Sequence, residues 1–385
     1  MSVWDEVVGQ GPTVEVLRAA VASARGQGPG MTHAWLFTGP PGSGRSVAAR
    51  AFAAALECEH AEPGCGTCHS CRTVLQGTHA DVTALRTEGL QISVDQTREL
   101  LPLAARRPSV GRWRVVIIED SDRLNESSGS ALLKGIEEPT ERTVWLLCAP
   151  SVDDVLITLR SRCRHVGLRT PPPDAVAELL VRREGVDPAM AAYAARAAQS
   201  HIGMARRLAV DEDARIRRRD VVRVPMNLRG VGESVLHAAN LLATATAEAQ
   251  SATTDRDEEE RADLLRALGA DPGARTQPPH VRGQLRDLEK NQKRRATRFV
   301  RDMVDRSLID ILSVYRDVLV LHADPAADLV NAEMRADLER MVRALSPEQV
   351  LQRMDAVREA RDRIGANVNV LLALEAMTLR LRLDA

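Results

Sequence analysis

Short apolar runs alternate with stretches of helical character over the first 170 residues. Trp35-Leu36-Phe37-Thr38 is an apolar run that ends at a glycine-rich loop, and Val47 to Leu56 beyond it is rich in alanine, the strongest helix former. Arg114-Val115-Val116-Ile117-Ile118 is continuously apolar after its first residue and β-branched, and Val144-Trp145-Leu146-Leu147-Cys148 is a second run of the same kind. Continuous runs of this length predict buried strands, and strands alternating with helices predict a parallel sheet with helices on its faces. At Pro171-Pro172-Pro173 the pattern stops, because proline can neither continue a helix nor complete a strand ladder. Asp174 is expected to cap a helix beginning near Ala175, and residues 174–215 read as a small helical domain.

From about residue 230 the pattern is helical throughout, with candidates at Gly230 to Gln250, Arg335 to Leu345, Glu348 to Ile364 and Asn367 to Leu383. Between them lies a charged insert, about 251–300, with an acidic run Asp255 to Glu260, a Gly/Pro-rich loop at 269–283 and a basic run Lys290 to Arg301. Charge runs of this kind are usually solvated. The insert therefore reads as a solvated helical hairpin, with contact to DNA or a partner as the other reading. No internal repeat is present. The expected domains are 1–170, 171–222 and 223–385.

Composition narrows the function. A length of 385 residues suggests two or three domains. Hydrophobic residues at 44% and charged residues at 27% describe a soluble globular protein, and a net charge of −1 predicts no strong nonspecific grip on nucleic acid by the whole chain. Aromatics at 2% argue against base-stacking platforms. No apolar run approaches the ~20 residues that span a membrane. The start, Met1-Ser2-Val3-Trp4-Asp5-Glu6, lacks a signal-peptide pattern, so a cytoplasmic location is expected.

Gly39-Pro40-Pro41-Gly42-Ser43-Gly44-Arg45-Ser46 sits between strand and helix, where a phosphate loop belongs. Glycines let backbone N–H groups turn toward phosphate, and the helix N-terminus adds its positive end. The usual lysine is replaced by Arg45, while Ser46 keeps the hydroxyl that would bind magnesium. Arginine is planar and bulkier, so ATP or ADP binding with altered geometry and a loop kept for shape alone both stay open. The strand ending in Ile118 leads into Glu119-Asp120. An active site of this type has Asp for the metal and then Glu for water; here the order is reversed, and misplacement near ~1 Å can cost ~100-fold in rate.

Four of the six cysteines, Cys58, Cys65, Cys68 and Cys71, follow the loop helix. Tight C-x2-C spacing and four thiolates suit a closed, structural zinc site, with an iron–sulfur cluster as the rival. Cys148 and Cys163 read as buried thiols. A helical stretch from Asp153 to Leu159 ends in Ser161-Arg162-Cys163. Alone, Arg162 would merely ease a helix C-terminus. Beside a phosphate-loop fold it is a candidate arginine finger, a group that completes the site of a neighbouring subunit.

Taken in order, these motifs resemble the delta-prime subunits of the bacterial DNA polymerase III clamp loader, in the AAA+ superfamily. The resemblance covers the first ~215 residues, in the size range of a base plus lid. Its carriers are Val8-Gly9-Gln10, His33-Ala34-Trp35-Leu36-Phe37, the four-cysteine module, Ala131-Leu132-Leu133-Lys134-Gly135-Ile136-Glu137-Glu138-Pro139 and Ser161-Arg162-Cys163. It implies an α/β AAA+ base, a small helical lid and an all-α collar. It also implies a heteropentamer with delta and three gamma/tau subunits, which opens the sliding clamp and places it on primer-template DNA. The chain would be an accessory subunit of a DNA-directed DNA polymerase with weak or absent ATPase of its own, supplying Arg162 to a gamma/tau neighbour. Ser200-His201-Ile202-Gly203-Met204-Ala205-Arg206-Arg207 has Gly203 or Met204 where the lid's sensing arginine is expected, with Arg206 nearby, and the other sensor segment offers only Ser151. The alternatives are a catalytic gamma/tau-type motor, which should carry Lys before Ser46 and Asp-Glu after Ile118, and an unrelated P-loop kinase or zinc-bound nucleic-acid module, which leaves Ser161-Arg162-Cys163 unexplained.

Overall fold

A computed structural model of the chain describes residues 2–26, 30–87, 89–270 and 277–382. It divides into two compact units, Met1–Asp211 and Glu212–Ala385.

The first unit is built on five parallel strands, β1 (Ala34–Thr38), β2 (Val82–Leu85), β3 (Arg114–Ile118), β4 (Thr143–Ala149) and β5 (Arg164–Gly167), in the order β2-β3-β4-β1-β5. Every residue of β1, β3 and β4 is buried. Side chains alternate between the faces of the sheet. Trp35, Phe37, Val115, Ile117, Val144 and Leu146 pack with helices α1 (Gly11–Ala24), α2 (Arg45–Glu57) and α3 (His69–Gln76). Leu36, Val116, Ile118, Trp145 and Leu147 pack with α4 (Val94–Ala104) and α5 (Glu126–Glu137). The α/β class expected from the sequence, a parallel sheet with helices on both faces, is the one observed. The sequence pattern does not reveal β2 and β5 because they are edge strands with mostly half-buried or exposed residues, so neither carries an apolar run.

Two local expectations are corrected. The helical stretch from Asp153 to Leu159 is reduced to one turn, α6 (Ile157–Arg160), since Asp154 is drawn into a turn by the Ser151 backbone N–H at 2.9 Å. Asp174 is no cap: α7 (Pro173–Glu184) starts two residues earlier than expected, with Pro172 at the cap and Asp174 in the first turn. Proline's fixed φ suits the first helical position, which brings the start forward to Pro173. The unit closes with α8 (Pro188–Ala197) and α9 (Ile202–Val210).

The second unit is helical: α10 (Glu212–Asn227), α11 (Val231–Ala267), α12 (Pro279–Ala323), α13 (Arg335–Ala344), α14 (Pro347–Gly365) and α15 (Val370–Arg380). Its core gathers Leu308, Ile311, Tyr315, Leu338, Val357 and Leu374. The helix expected at Gly230 to Gln250 continues through the acidic run to Ala267, and the basic run lies inside α12. The Gly/Pro-rich loop is shorter than 269–283, because α12 already begins at Pro279; positions 271–276 fall outside the described residues. None of the described helices is long and apolar enough to cross a membrane.

A buried ion pair fixes the edge of the sheet. Asp81, fully buried, faces Arg114 at 2.8 Å and accepts from the backbone N–H groups of Ser109, Val110 and Gly111 at 2.7–2.8 Å. Burial opposes its ionisation, but these donors outweigh it and hold the carboxyl down at about 2 against an ordinary 3.8. A depressed carboxylate stabilises the fold above its unfolded value and loses that contribution as pH falls through its folded value. Asp81→Asn is expected to cost about 2–4 kcal/mol at neutral pH, with the deficit narrowing as pH falls from 3.8 towards about 2. Urea unfolding of both proteins across that range measures it.

Candidate functional site

The glycine-rich loop joins β1 to α2. Gly42 and Gly44 have φ of +84° and +91°, a left-handed conformation that side chains resist, and Gly44 caps α2, with its carbonyl accepting from Ala48 N–H at 2.8 Å. The Ser43 hydroxyl and Arg45 Nη1 are buried without a hydrogen-bond partner. Orphaned polar atoms at the head of a helix suit an anion, so the loop's donor set fits a phosphate even with Arg45 in place of lysine. The N-terminus of α9 lies against the loop: a Cβ on residue 42 would come within 2.3 Å of His201 Cγ, and Ile202 N–H approaches the Gly42 carbonyl at 3.4 Å. Gln10 braces the loop's other side, donating to the Arg169 carbonyl at 2.6 Å and accepting from its N–H at 3.0 Å.

Glu119 and Asp120 emerge from β3 beside this loop. Glu119 faces two guanidinium groups, Arg50 at 3.6 Å and Arg86 at 4.0 Å. Arg50 comes from α2, where it also donates to the Ser46 carbonyl at 3.2 Å. Burial pushes the Cys148 thiol up to about 12, and the charges of Glu119, Arg45, Asp120 and Arg50 all reach it. The altered loop and the reversed acids are thus brought around one point at the end of the sheet. Asp122, which follows, has its carboxyl raised by burial, with Asp120 adding to the effect.

The four cysteines converge at the other end of α2. Their sulfurs lie within 4.8 Å of one another, with Cys58–Cys65 at 3.7 Å and Cys58–Cys68 at 4.0 Å. A tetrahedron with metal–sulfur bonds of about 2.3 Å has edges near 3.8 Å, so the cluster can hold a metal ion. The N–H groups of Thr67 and Cys68 reach Cys65 Sγ at 3.4 and 3.3 Å, and Cys71 N–H reaches Cys68 Sγ at 3.4 Å. Burial opposes ionisation of Cys65, yet the Thr67 hydroxyl and these backbone donors bring its thiol down to about 5. Arg25 clasps the module from α1 through the carbonyls of Cys58 and His60, and Val3 N–H and the Ser2 hydroxyl both bond the Gly64 carbonyl at 2.9 Å.

Arg162 follows α6, half-exposed. Its Nη1 donates to the Thr158 carbonyl at 2.7 Å and its Nη2 pairs with Glu137 at the end of α5. Ser151 is exposed. Arg206 pairs with Glu184 of α7 at 2.8 Å, a structural contact with the lid-like helices.

Comparison with known proteins fits this geometry. Residues 10–172 match the family model described as DNA polymerase III, delta subunit. Over that region the chain resembles DNA polymerase III clamp-loader subunits. Among relatives, the delta-prime subunit of Pseudomonas aeruginosa is 36% identical over 163 residues, covering 41% of this chain and 50% of that protein. The gamma/tau subunit of Mycobacterium tuberculosis is 34% identical over 188 residues, covering 47% of this chain and 32% of that protein. The chain thus spans between a third and a half of the length of these relatives. A gamma subunit-related protein from Thermotoga maritima aligns over 95% of this chain and 98% of its own, at 15% identity and a TM-score of 0.41.

Several contacts at the site escape sequence reading. Arg50 and Arg86 are ordinary surface-type arginines until the sheet brings them to Glu119. His201 carries no local signal, because its approach to Gly42 joins residues 159 positions apart. Gly42→Ala is expected to lower the unfolding free energy of the first unit by about 2 kcal/mol or more. It combines a left-handed penalty of about 1–2 kcal/mol with a clash against His201. Denaturant titration checks the effect, with Gly203→Ala, which has φ outside the left-handed region and ordinary contacts, as the comparison.

Proposed function

We propose that the chain is a delta-prime-type, stator-like subunit of a DNA polymerase III clamp loader. It would help ATP-driven loading of the sliding clamp onto primed DNA, with gamma/tau and delta as partners in a cytoplasmic heteropentamer. In this reading residues 1–170 are the base, 171–222 the lid and 223–385 the collar. The observation that carries it is that Glu119 faces Arg50 and Arg86, alongside Arg45 standing where the loop's lysine is usual. A carboxylate held by two guanidinium groups is poorly placed to bind a metal, and the group at the water-activating position is the shorter Asp120. Both departures weigh against turnover at this chain's own loop, which would be a structural pocket for ATP or ADP.

Arg162 is the arginine offered to a neighbouring gamma/tau site. Its partner Glu137 is itself half-exposed, so a phosphate of higher charge can displace it. In the reconstituted assembly, Arg162→Ala is expected to slow single-turnover hydrolysis at the facing site by roughly 10³-fold, while the isolated wild-type chain hydrolyses almost nothing. Robust turnover by the isolated chain would favour the gamma/tau-type motor, a reading kept in view by the mycobacterial gamma/tau relative.

The cysteine cluster is proposed to hold one structural zinc. Its sulfurs leave no open side for a water ligand, and its role is to fix the loop between α2 and α3. Elemental analysis of the purified chain is expected to find one zinc, lost in Cys71→Ser together with stability of the first unit. Iron at that stoichiometry would replace zinc by a cluster, and absence of metal would remove the assignment.

A further inference from the structure

Helices α11 and α12 run 37 and 45 residues, about 55 and 68 Å. Away from the helical core they form an antiparallel hairpin held by its own contacts. Arg295 binds Asp257 and Glu260, Arg261 meets Glu289 at 3.0 Å, and a small apolar cluster joins Leu265, Val281 and Leu285. The acids Asp255, Glu258 and Glu259 are exposed on α11. The arginines of α11 in the hairpin, Arg256, Arg261 and Arg266, are each paired with an acid, whereas α12 carries a set of cations that are not. Arg282, Arg286, Lys290, Lys293 and Arg294 are all exposed, and none of their five side chains has a hydrogen-bond or ion-pair partner among the described residues. At 100° per residue they fall within an arc of about 120°, on the side opposite Val281, Leu285 and Arg295. Asp287 is the one exposed acid beside the arc, and Glu289 on its other edge is occupied by Arg261.

We propose that this outer face of α12 binds the phosphate backbone of a nucleic-acid duplex without reading its sequence. Arg282, Arg286, Lys290 and Arg294 recur every four residues, about 6 Å along the helix, and the stripe extends about 18 Å. Regularly spaced cations on a straight rod suit a linear array of phosphates. No Phe, Tyr or Trp lies between Gln277 and Arg298, so the surface has nothing on which unpaired bases could stack, which favours duplex over single strand. The net charge of −1 conceals this face because the balancing acids lie on the partner helix. The inference does not depend on the subunit assignment above.

The test uses the full chain and a short labelled duplex, followed by fluorescence anisotropy. Four to five phosphate contacts predict a log–log salt slope of roughly −4, a loss of affinity of roughly 10²-fold between about 50 and 200 mM salt. Lys290→Ala should make the slope shallower by about one. Combined reversal, Arg282→Glu with Arg286→Glu, Lys290→Glu and Lys293→Glu, should abolish binding while helicity by circular dichroism is unchanged. Equal binding by the reversed variant, or no binding by the wild type, overturns the proposal. So does preference for an acidic peptide over the duplex, or self-association of the chain that the reversal abolishes, since either result gives the stripe a protein partner instead.

Discussion

Helix α2 packs so closely on the central strands that nine of its 13 residues are buried, six of them alanines. Only small side chains allow that approach, and a backbone held this near to β1, β3 and β4 cannot shift without opening the core. Both ends of the helix carry candidate chemistry. Gly44 and Arg45 begin it at the phosphate loop, and Glu57 ends it beside Cys58, with its carboxylate accepting from the N–H groups of Arg112 and Trp113 at 2.7 and 3.0 Å. Burial raises the Glu57 carboxyl to about 7, and those two donors act in the opposite direction. One element therefore links the candidate anion site of the unit to its candidate metal site, and the cysteine module lies at the exit of the helix that the loop opens.

That rigidity sharpens the meaning of the altered residues. With α2 and β3 fixed, Arg50, further along the helix from Arg45, is held facing Glu119. The Glu119 charge is met by protein groups, while the Arg45 Nη1 donor is left without a protein partner. The fold around the loop is intact: the glycines keep their left-handed conformation, Gln10 braces one side and the lid helix α9 meets the other. Such an arrangement keeps a loop shaped for an anion, which is the feature the proposed structural pocket rests on.

Much of this was legible in the sequence, for reasons that differ from element to element. The central strands showed as apolar runs because both their faces are covered, and the cysteines showed because metal spacing is local. Edge strands β2 and β5 lacked a signal because half their residues meet solvent. The one-turn α6 replaced a longer expected helix because Asp154 spends its carboxylate on the Ser151 N–H. The charged insert read correctly as a hairpin, but its length did not, since the acidic run looked like a break and is in fact neutralised across the hairpin by Arg295. Burial of the Glu260 carboxylate opposes its ionisation less than Arg295 favours it, so the group is held down at about 2. Long-range pairings such as Gly42 with His201 have no sequence signature in a single chain.

The same chemical pair serves opposite ends at two places in the first unit. Arg114 and Asp81 are 6% and 0% exposed, and removing either partner would strand a buried charge at a cost of about 3–5 kcal/mol. Arg162 and Glu137 are 38% and 43% exposed, where water screens the attraction and an ion pair contributes at most about 1 kcal/mol. The first pair is permanent because nothing else can solvate its members. The second is exchangeable for the same reason in reverse: water, or a more highly charged anion, competes for the guanidinium at little cost. The role proposed for Arg162 requires an arginine ordered enough to be aimed and held weakly enough to leave, and an exposed carboxylate at the end of α5 meets both requirements.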